Sequence, residues 1–274
     1  MPSSNPVFGR GFANAASGRQ QYPGYGAPQH GAPSPYGAPT QDPYAAPSPY
    51  APSTTQYMTM DDVVTKTGIS FLVMVVTAAL TWALPDFSGA SLAMPAVLIA
   101  LVLGLVISFK QIANPIATLS YAALYGVALG AISEIFEAQY QGIVMQAIIG
   151  TFGVFAGMLV VYKTGAIRVT PKLTRWVVGA AIGALVLMLV NLVAAWIGGS
   201  DGLGLRSGGP IAIVFSLVVI GIAAFMLLLD FDMADEAIRR GAPAKFAWYI
   251  AFGLLVTVVW LYIESLRLLS YFRE

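Results

Sequence analysis

The sequence predicts an all-α, polytopic membrane protein: seven transmembrane helices in a bundle, behind a disordered N-terminal tail. Three observations carry this. Of 274 residues, 57% are hydrophobic and only 10% charged, far from the balance of a water-soluble domain. Apolar stretches, each long enough to cross a bilayer, fill the chain from about Val64 to its end. The preceding segment, residues 1–57, is built from Pro, Gly, Ala, Tyr, Ser and Gln, with YGAP at Tyr25 and Tyr36 and SPY at Ser34 and Ser48. Such a composition buries too little surface to offset its ordering entropy, so it reads as a solvated leader. Its tyrosines and prolines also suit a docking strip for a partner groove.

The domains are therefore 1–57, the tail, and 58–274, the membrane domain. In MTMDDVVTKTG, Thr59 or Asp61 is placed to cap the first helix. The spans drawn from hydropathy are 66–84, 92–109, 115–135, 142–162, 174–198, 210–230 and 245–270. Breaks come from Pro85, the SFKQIANP segment, Pro171, GGSDGLGLRSGGP and RRGAPAK. The opening MPSSNPVFGRGFANAASGRQ lacks the apolar core of a signal peptide, so the first span is expected to direct insertion.

Orientation follows from the 14 basic residues. With the tail inside, Arg10, Arg19, Lys66, Lys110, Lys163, Arg168, Lys172, Arg175, Arg239, Arg240 and Lys245 are cytoplasmic. Only Arg206, Arg267 and Arg273 fall outside, an 11 to 3 split in the sense of the positive-inside rule. The expected location is the plasma (inner) membrane with a cytoplasmic N-terminus. Pairs of glycines four apart, Gly126 and Gly130, Gly153 and Gly157, Gly179 and Gly183, read as faces where helices approach closely.

Several chemistries are excluded. The chain has no cysteine, and its single histidine, His30, lies in the tail, so thiol, zinc–histidine and Ser-His sites are not expected in the membrane. No HExxH or GxSxG phrase occurs, and no enzymatic activity is expected. A net charge of +1 leaves no electrostatic footprint for nucleic acid.

Carboxylates within spans are the functional candidates, because each costs roughly 2.5–3.5 kcal/mol at mid-membrane and must face protein or water. Asp230 and Asp232 sit at the end of the sixth span in FMLLLDFDMADEAIRRG, near the cytoplasmic face, where Arg239 and Arg240 can balance them. Acids at a helix C-terminus oppose its dipole, so they need a cation or a proton nearby. Glu264 lies in WLYIESLRLLSYF with Arg267 on the same face, which gives either a local ion pair or a buried, titrating carboxyl. Glu134 and, one turn later, Glu137 fall at the outer end of the third span. Asn191 and Gln146 are explained by interhelical hydrogen bonds.

These residues resemble the Bax inhibitor-1, or transmembrane Bax inhibitor motif, family over roughly residues 60–274. The resemblance rests on seven spans, on YGVALGAISE ending at Glu134, on LLLDFD at the end of the sixth span, and on LYIESLRLL in the seventh. The run from MTMDDVVTKTG through VVYKTGAIRVTPK is similar to actinobacterial-type members. The resemblance implies a pH-sensitive calcium leak channel or transporter, opened or closed by protonation of paired acids. Asp230 or Asp232 would be the first acid and Glu264 the second, with Glu134 also on the pathway and Arg267 and Asn191 supporting it. Ionised together, Asp230 and Glu264 would suit calcium; no tightly bound cofactor is implied, calcium and protons being permeant partners within the lipid bilayer. The family is also linked to a second class of role, a non-conducting regulator that binds a membrane protease or other membrane complex, here through the tail.

The chain departs from the family pattern in carrying Glu rather than Asp as the second acid and in separating the two acids by 34 residues. A seventh span starting near Lys245 puts Glu264 roughly 28 Å deep, towards the face opposite Asp230. Either the sixth helix runs past Asp235 and the seventh begins late, or Glu264 belongs with Glu134 and Arg267 in an outer gate.

Overall fold

The computed structural model describes residues 56–83, 89–198 and 202–273. These form seven α-helices: α1 Met60–Ala83, α2 Gly89–Lys110, α3 Pro115–Gln139, α4 Ile143–Thr164, α5 Pro171–Gly198, α6 Pro210–Arg239 and α7 Ala247–Tyr271. Six are long and apolar enough to cross a membrane, and α2 contributes a shorter apolar run, Met94–Lys110. The tail up to residue 55 lies outside the described residues.

Local chemistry sets the helix starts. Thr59, not Asp61, caps α1: the Asp62 N–H donates to Thr59 Oγ1 (3.2 Å) and the Thr59 N–H to Asp62 Oδ2 (3.1 Å), a reciprocal capping box. Asn114 accepts from the Ile116 N–H at 2.8 Å ahead of Pro115, which needs no donor partner at the first helical position. Thr170 does the same for Leu173 ahead of Pro171.

The largest departure from expectation is α6, which continues to Arg239 rather than stopping at residue 230. Nothing between Asp230 and Arg240 breaks a helix, and ion pairs Asp235–Arg239 (2.9 Å) and Glu236–Arg240 (2.7 Å) line its last turns. Gly241, at φ 68°, then turns the chain. Asp230 thus sits nine residues, about 14 Å, inside the helix end and not at it.

Helix α7 is the centre of the bundle. Of its most apolar window 61% is buried, against 17% for α5. One side of α7, with Ile250, Leu254, Val258 and Leu261, packs on Ala223, Leu227 and Phe231 of α6 and on Phe155 and Met158 of α4. The other, with Leu255, Val259, Tyr262 and Leu266, packs on Met74 of α1, Leu129 of α3 and Ala147 of α4. Nearer its start, Phe252 meets Tyr121 edge-on at 4.8 Å, beside Ile107 of α2. Met58 donates to the Ala242 carbonyl and Ala244 to the Gln56 carbonyl, both at 2.8 Å, and Lys66 Nζ reaches the Ala244 carbonyl at 2.7 Å. The start of α1 is thereby tied to the α6–α7 connection.

The glycine pairs divide. Gly126 and Gly130 of α3 lie directly against the α1 backbone at Met74 and Ala78, whereas a Cβ at Gly153, Gly157, Gly179 or Gly183 meets nothing within 4 Å. Helix contact is therefore confined to the first pair, because α4 and α5 turn their glycine faces outwards. Gly153→Ala and Gly157→Ala are each expected to raise stability by about 0.5–1 kcal/mol through helix propensity alone. Thermal unfolding in detergent checks this; a loss of stability would mean that the face is occupied by another chain or by lipid.

Candidate functional site

Between α6 and α7 runs a seam of buried polar side chains. Ser216 and Asp230 are 14 residues apart, close to four turns, and so share a face of α6; Thr257 and Glu264, seven apart, share a face of α7. Antiparallel packing brings Thr257 to Asp230 and Ser216 to Glu264, each through a 2.6 Å hydrogen bond. The two levels are about 10 Å apart along α7 and about 21 Å apart along α6. Between them Ala223, Leu227, Val258 and Leu261 belong to one packed apolar cluster, which closes the seam.

At the first level Asp230 is 8% exposed. Among the described residues its only hydrogen-bond partner is Thr257, and no cation lies within ion-pair distance of it. A carboxylate in such a place loses several kcal/mol of hydration that a single neutral hydroxyl does not restore. Thr257 Oγ1 also stands 3.2 Å from the Gly253 carbonyl one turn back. A hydroxyl has one proton and two acceptor positions. It can therefore donate to the Asp230 carboxylate, or accept from the Asp230 acid while donating to Gly253. The side chain that holds Asp230 is thus matched to either of its protonation states.

The second level is compensated. Glu264, 1% exposed, accepts from Ser216 and from Arg267 (3.4 Å), with Arg206 at 3.9 Å. Arg206 comes from the connection between α5 and α6, itself fixed by the Leu203 N–H on Asn191 Oδ1 (3.0 Å). Removing one partner of a buried ion pair strands the others, so Glu264→Ala is expected to cost about 3–5 kcal/mol. Glu264→Gln, which keeps the bond to Ser216, is expected to cost less. Denaturation of the purified variants in detergent measures both, and equal losses would count against a contribution from the Ser216 bond.

The other candidates fall elsewhere. Asp232 is half-buried towards the end of α6. Near it Asp235 accepts from Tyr162 (3.2 Å) and Arg239, and Glu236 is held by Arg239 and Arg240. Of the two acids drawn from LLLDFD, then, only Asp230 enters the seam. Glu134 is half-buried and its side chain makes no hydrogen bond or ion pair among the described residues, so it does not join the Glu264–Arg267 pair. Asp230 and Glu264 have separate partners at separate levels, and the structure does not bring them into one ligand set; among the described residues no group of three or more acids is placed to hold a metal ion. Asn191 binds a loop, not a neighbouring helix. Gln146 accepts from Arg273 at 2.8 Å, and Glu137 accepts the Gly142 and Val144 N–H groups that open α4.

Sequence reasoning missed Thr257, Ser216 and Arg206. The signal for the first was present, since Thr257 lies two turns before Glu264 on the same helix face. Nothing local marked the other two, whose roles depend on the antiparallel pairing of α6 with α7.

The family model described as Bax inhibitor 1 like matches residues 5–274, which takes in most of the tail as well as all seven helices. No curated protein matches the chain.

Proposed function

This chain belongs to the Bax inhibitor 1 like family, and from that premise we propose that it is a pH-sensitive calcium leak channel or transporter whose gate is the α6–α7 seam. The observation that carries the reading is Asp230, buried without a cation and held by a hydroxyl that can serve either protonation state. Protonated, Asp230 is neutral and the seam stays packed. Ionised, it calls for water or a cation, and a hard oxygen donor suits calcium. Conduction requires the apolar cluster between the two levels to part. Glu264, with Arg206 and Arg267, holds the far end together and sets the charge met by an ion there.

The reading assigns the protein to the plasma membrane, with the start of α1 and the α6–α7 connection on the cytoplasmic side, following the distribution of Lys and Arg. It includes no enzymatic step and no resident cofactor. The experiment is calcium flux into proteoliposomes between about pH 5 and pH 8. Flux above that of empty liposomes, changing with pH and retained after deletion of residues 1–55, is the expected result. No flux at any pH would instead favour the non-conducting regulator, with the tail as the segment that meets a membrane protease or other complex.

A further inference from the structure

Two groups of basic residues differ in their partners. Lys66, Arg239 and Arg240 are each paired with acids of their own helix, Asp62, Asp235 and Glu236. Lys163, Arg168, Lys172 and Arg175, gathered around the connection between α4 and α5, are exposed and make no ion pair among the described residues. Their one side-chain hydrogen bond there runs from Arg175 Nε to the Pro171 carbonyl of the same helix, at 3.3 Å.

The chain supplies these cations with no acid of its own. No Asp or Glu occurs between Glu137 and Asp201. Lys172 is the second residue of α5, where the helix dipole disfavours positive charge, and no acid stands in that turn to offset it. The tail has the wrong sign, since residues 1–57 hold Arg10 and Arg19 against one acid, Asp42. A specific counter-charge for the four therefore comes from outside the chain.

The level of the patch says which anion this is. Trp176 and Trp196 of α5 are 71% and 91% exposed. They stand 20 residues apart, about 30 Å along the helix, which is the thickness of the hydrocarbon core. Exposed tryptophans at that spacing mark the two interfaces of the bilayer. Lys172, Arg175 and Trp176 share one face of α5. Arg175 adjoins Trp176 and Lys172 lies about 6 Å further out, so both stand at the level of headgroup phosphates. Helix α5 is also the least buried of the six long spans, which makes lipid its main neighbour.

We propose that Lys163, Arg168, Lys172 and Arg175 form a binding site for the headgroups of acidic phospholipids in the surrounding bilayer, with Trp176 seated beside their upper acyl groups. The two guanidinium groups suit bidentate bonds to phosphate, and the two lysines act as point charges. Such a site is a standing selection of lipid neighbours by the folded protein, distinct from the charge bias that orients spans during insertion. The inference does not depend on ion conduction, and the two can fail separately.

The test uses the full chain in phosphatidylcholine vesicles that contain a minor fraction of phosphatidylglycerol with brominated acyl chains, bromine being a contact quencher of tryptophan. Quenching greater than that from the same fraction of brominated phosphatidylcholine is expected. Trp176→Phe should remove most of this excess, because the reporter at the site is lost. Replacing all four basic residues by Gln should abolish it, and each single replacement should lower the enrichment by about fivefold at most. All four are exposed, so the substitutions leave the packing of the bundle in place. Lys110→Gln combined with Lys245→Gln removes two exposed cations outside the patch and should change nothing. Equal quenching by the two brominated lipids would overturn the proposal, as would an excess that survives the fourfold replacement or all four single ones. Loss of the excess in the Lys110 and Lys245 variant would mean general surface charge, and its loss on adding inorganic phosphate would mean a site for soluble anions; either result overturns the assignment to lipid.

Discussion

Asp230→Asn is expected to abolish the pH dependence of calcium flux and to fix it at the level that wild type reaches at the acidic end of its range. Asn has the shape of the protonated acid and cannot ionise, so the variant is held in one of the two states between which wild type switches. The substitution should leave the fold intact, since the Asn amide can still bond to Thr257 Oγ1 across the 2.6 Å contact. Thr257→Val discriminates further. It removes the hydroxyl that serves both states while leaving the acid in place, so the response to pH should persist. Proteoliposome flux measured for both variants reads this directly. A pH response in Asp230→Asn identical to that of wild type would remove Asp230 from the mechanism.

The second large effect is expected at Gly126, where the failure should be of folding rather than of gating. A Cβ on Gly126 would collide with Thr77 Oγ1 and the Met74 carbonyl oxygen of α1, and one on Gly130 with the Ala78 carbonyl oxygen. Thr77 is itself fixed by hydrogen bonds to Val73 and Met74, so it cannot swing aside freely, and a backbone carbonyl cannot move without the helix. Even Gly126→Ala should cost about 1–3 kcal/mol, and Gly126→Leu more, with α1 displaced from α3. Loss of a monodisperse detergent-solubilised species for Gly126→Leu is the expected observation. A well-behaved Gly126→Leu would mean that α1 and α3 do not pack as described.

The contrast between Gly126 and Gly153 shows where sequence reasoning reaches its limit. Both glycines belong to pairs spaced by four, and both pairs occur in apolar helices. The spacing places small residues on one face of a helix, but whether another helix covers that face is decided by the bundle. The same holds for the acids. Their presence in apolar segments, and the resemblance to a family that pairs them, were legible. The end of α6 was not, because hydropathy falls at Asp230 while the helix continues through residues that satisfy one another by ion pairs four apart. Placing Asp230 at a helix end made it interfacial; placing it nine residues inside makes it a buried acid.

What the sequence determined by itself is the class of molecule and its chemistry. Seven apolar segments must become helices, since a bilayer offers no other partner to backbone N–H and C=O groups, and their number and approximate bounds follow from hydropathy and from Pro and Gly. The absence of cysteine and of histidine outside the tail leaves the membrane domain carboxylates, arginines and hydroxyls with which to act. Tertiary structure decided which of these groups meet. Glu264 gained Ser216 and Arg206, residues 48 and 58 positions away, and is thereby paired. Among the described residues, Asp230 gained only Thr257. Pairing across helices depends on the rotation and offset of two rods, quantities set by the packing of side chains such as Leu227 and Val258 and not by any local pattern. That is why the candidate acids could be found in the sequence, and why only the fold distinguished the compensated one from the one left to a proton or a cation.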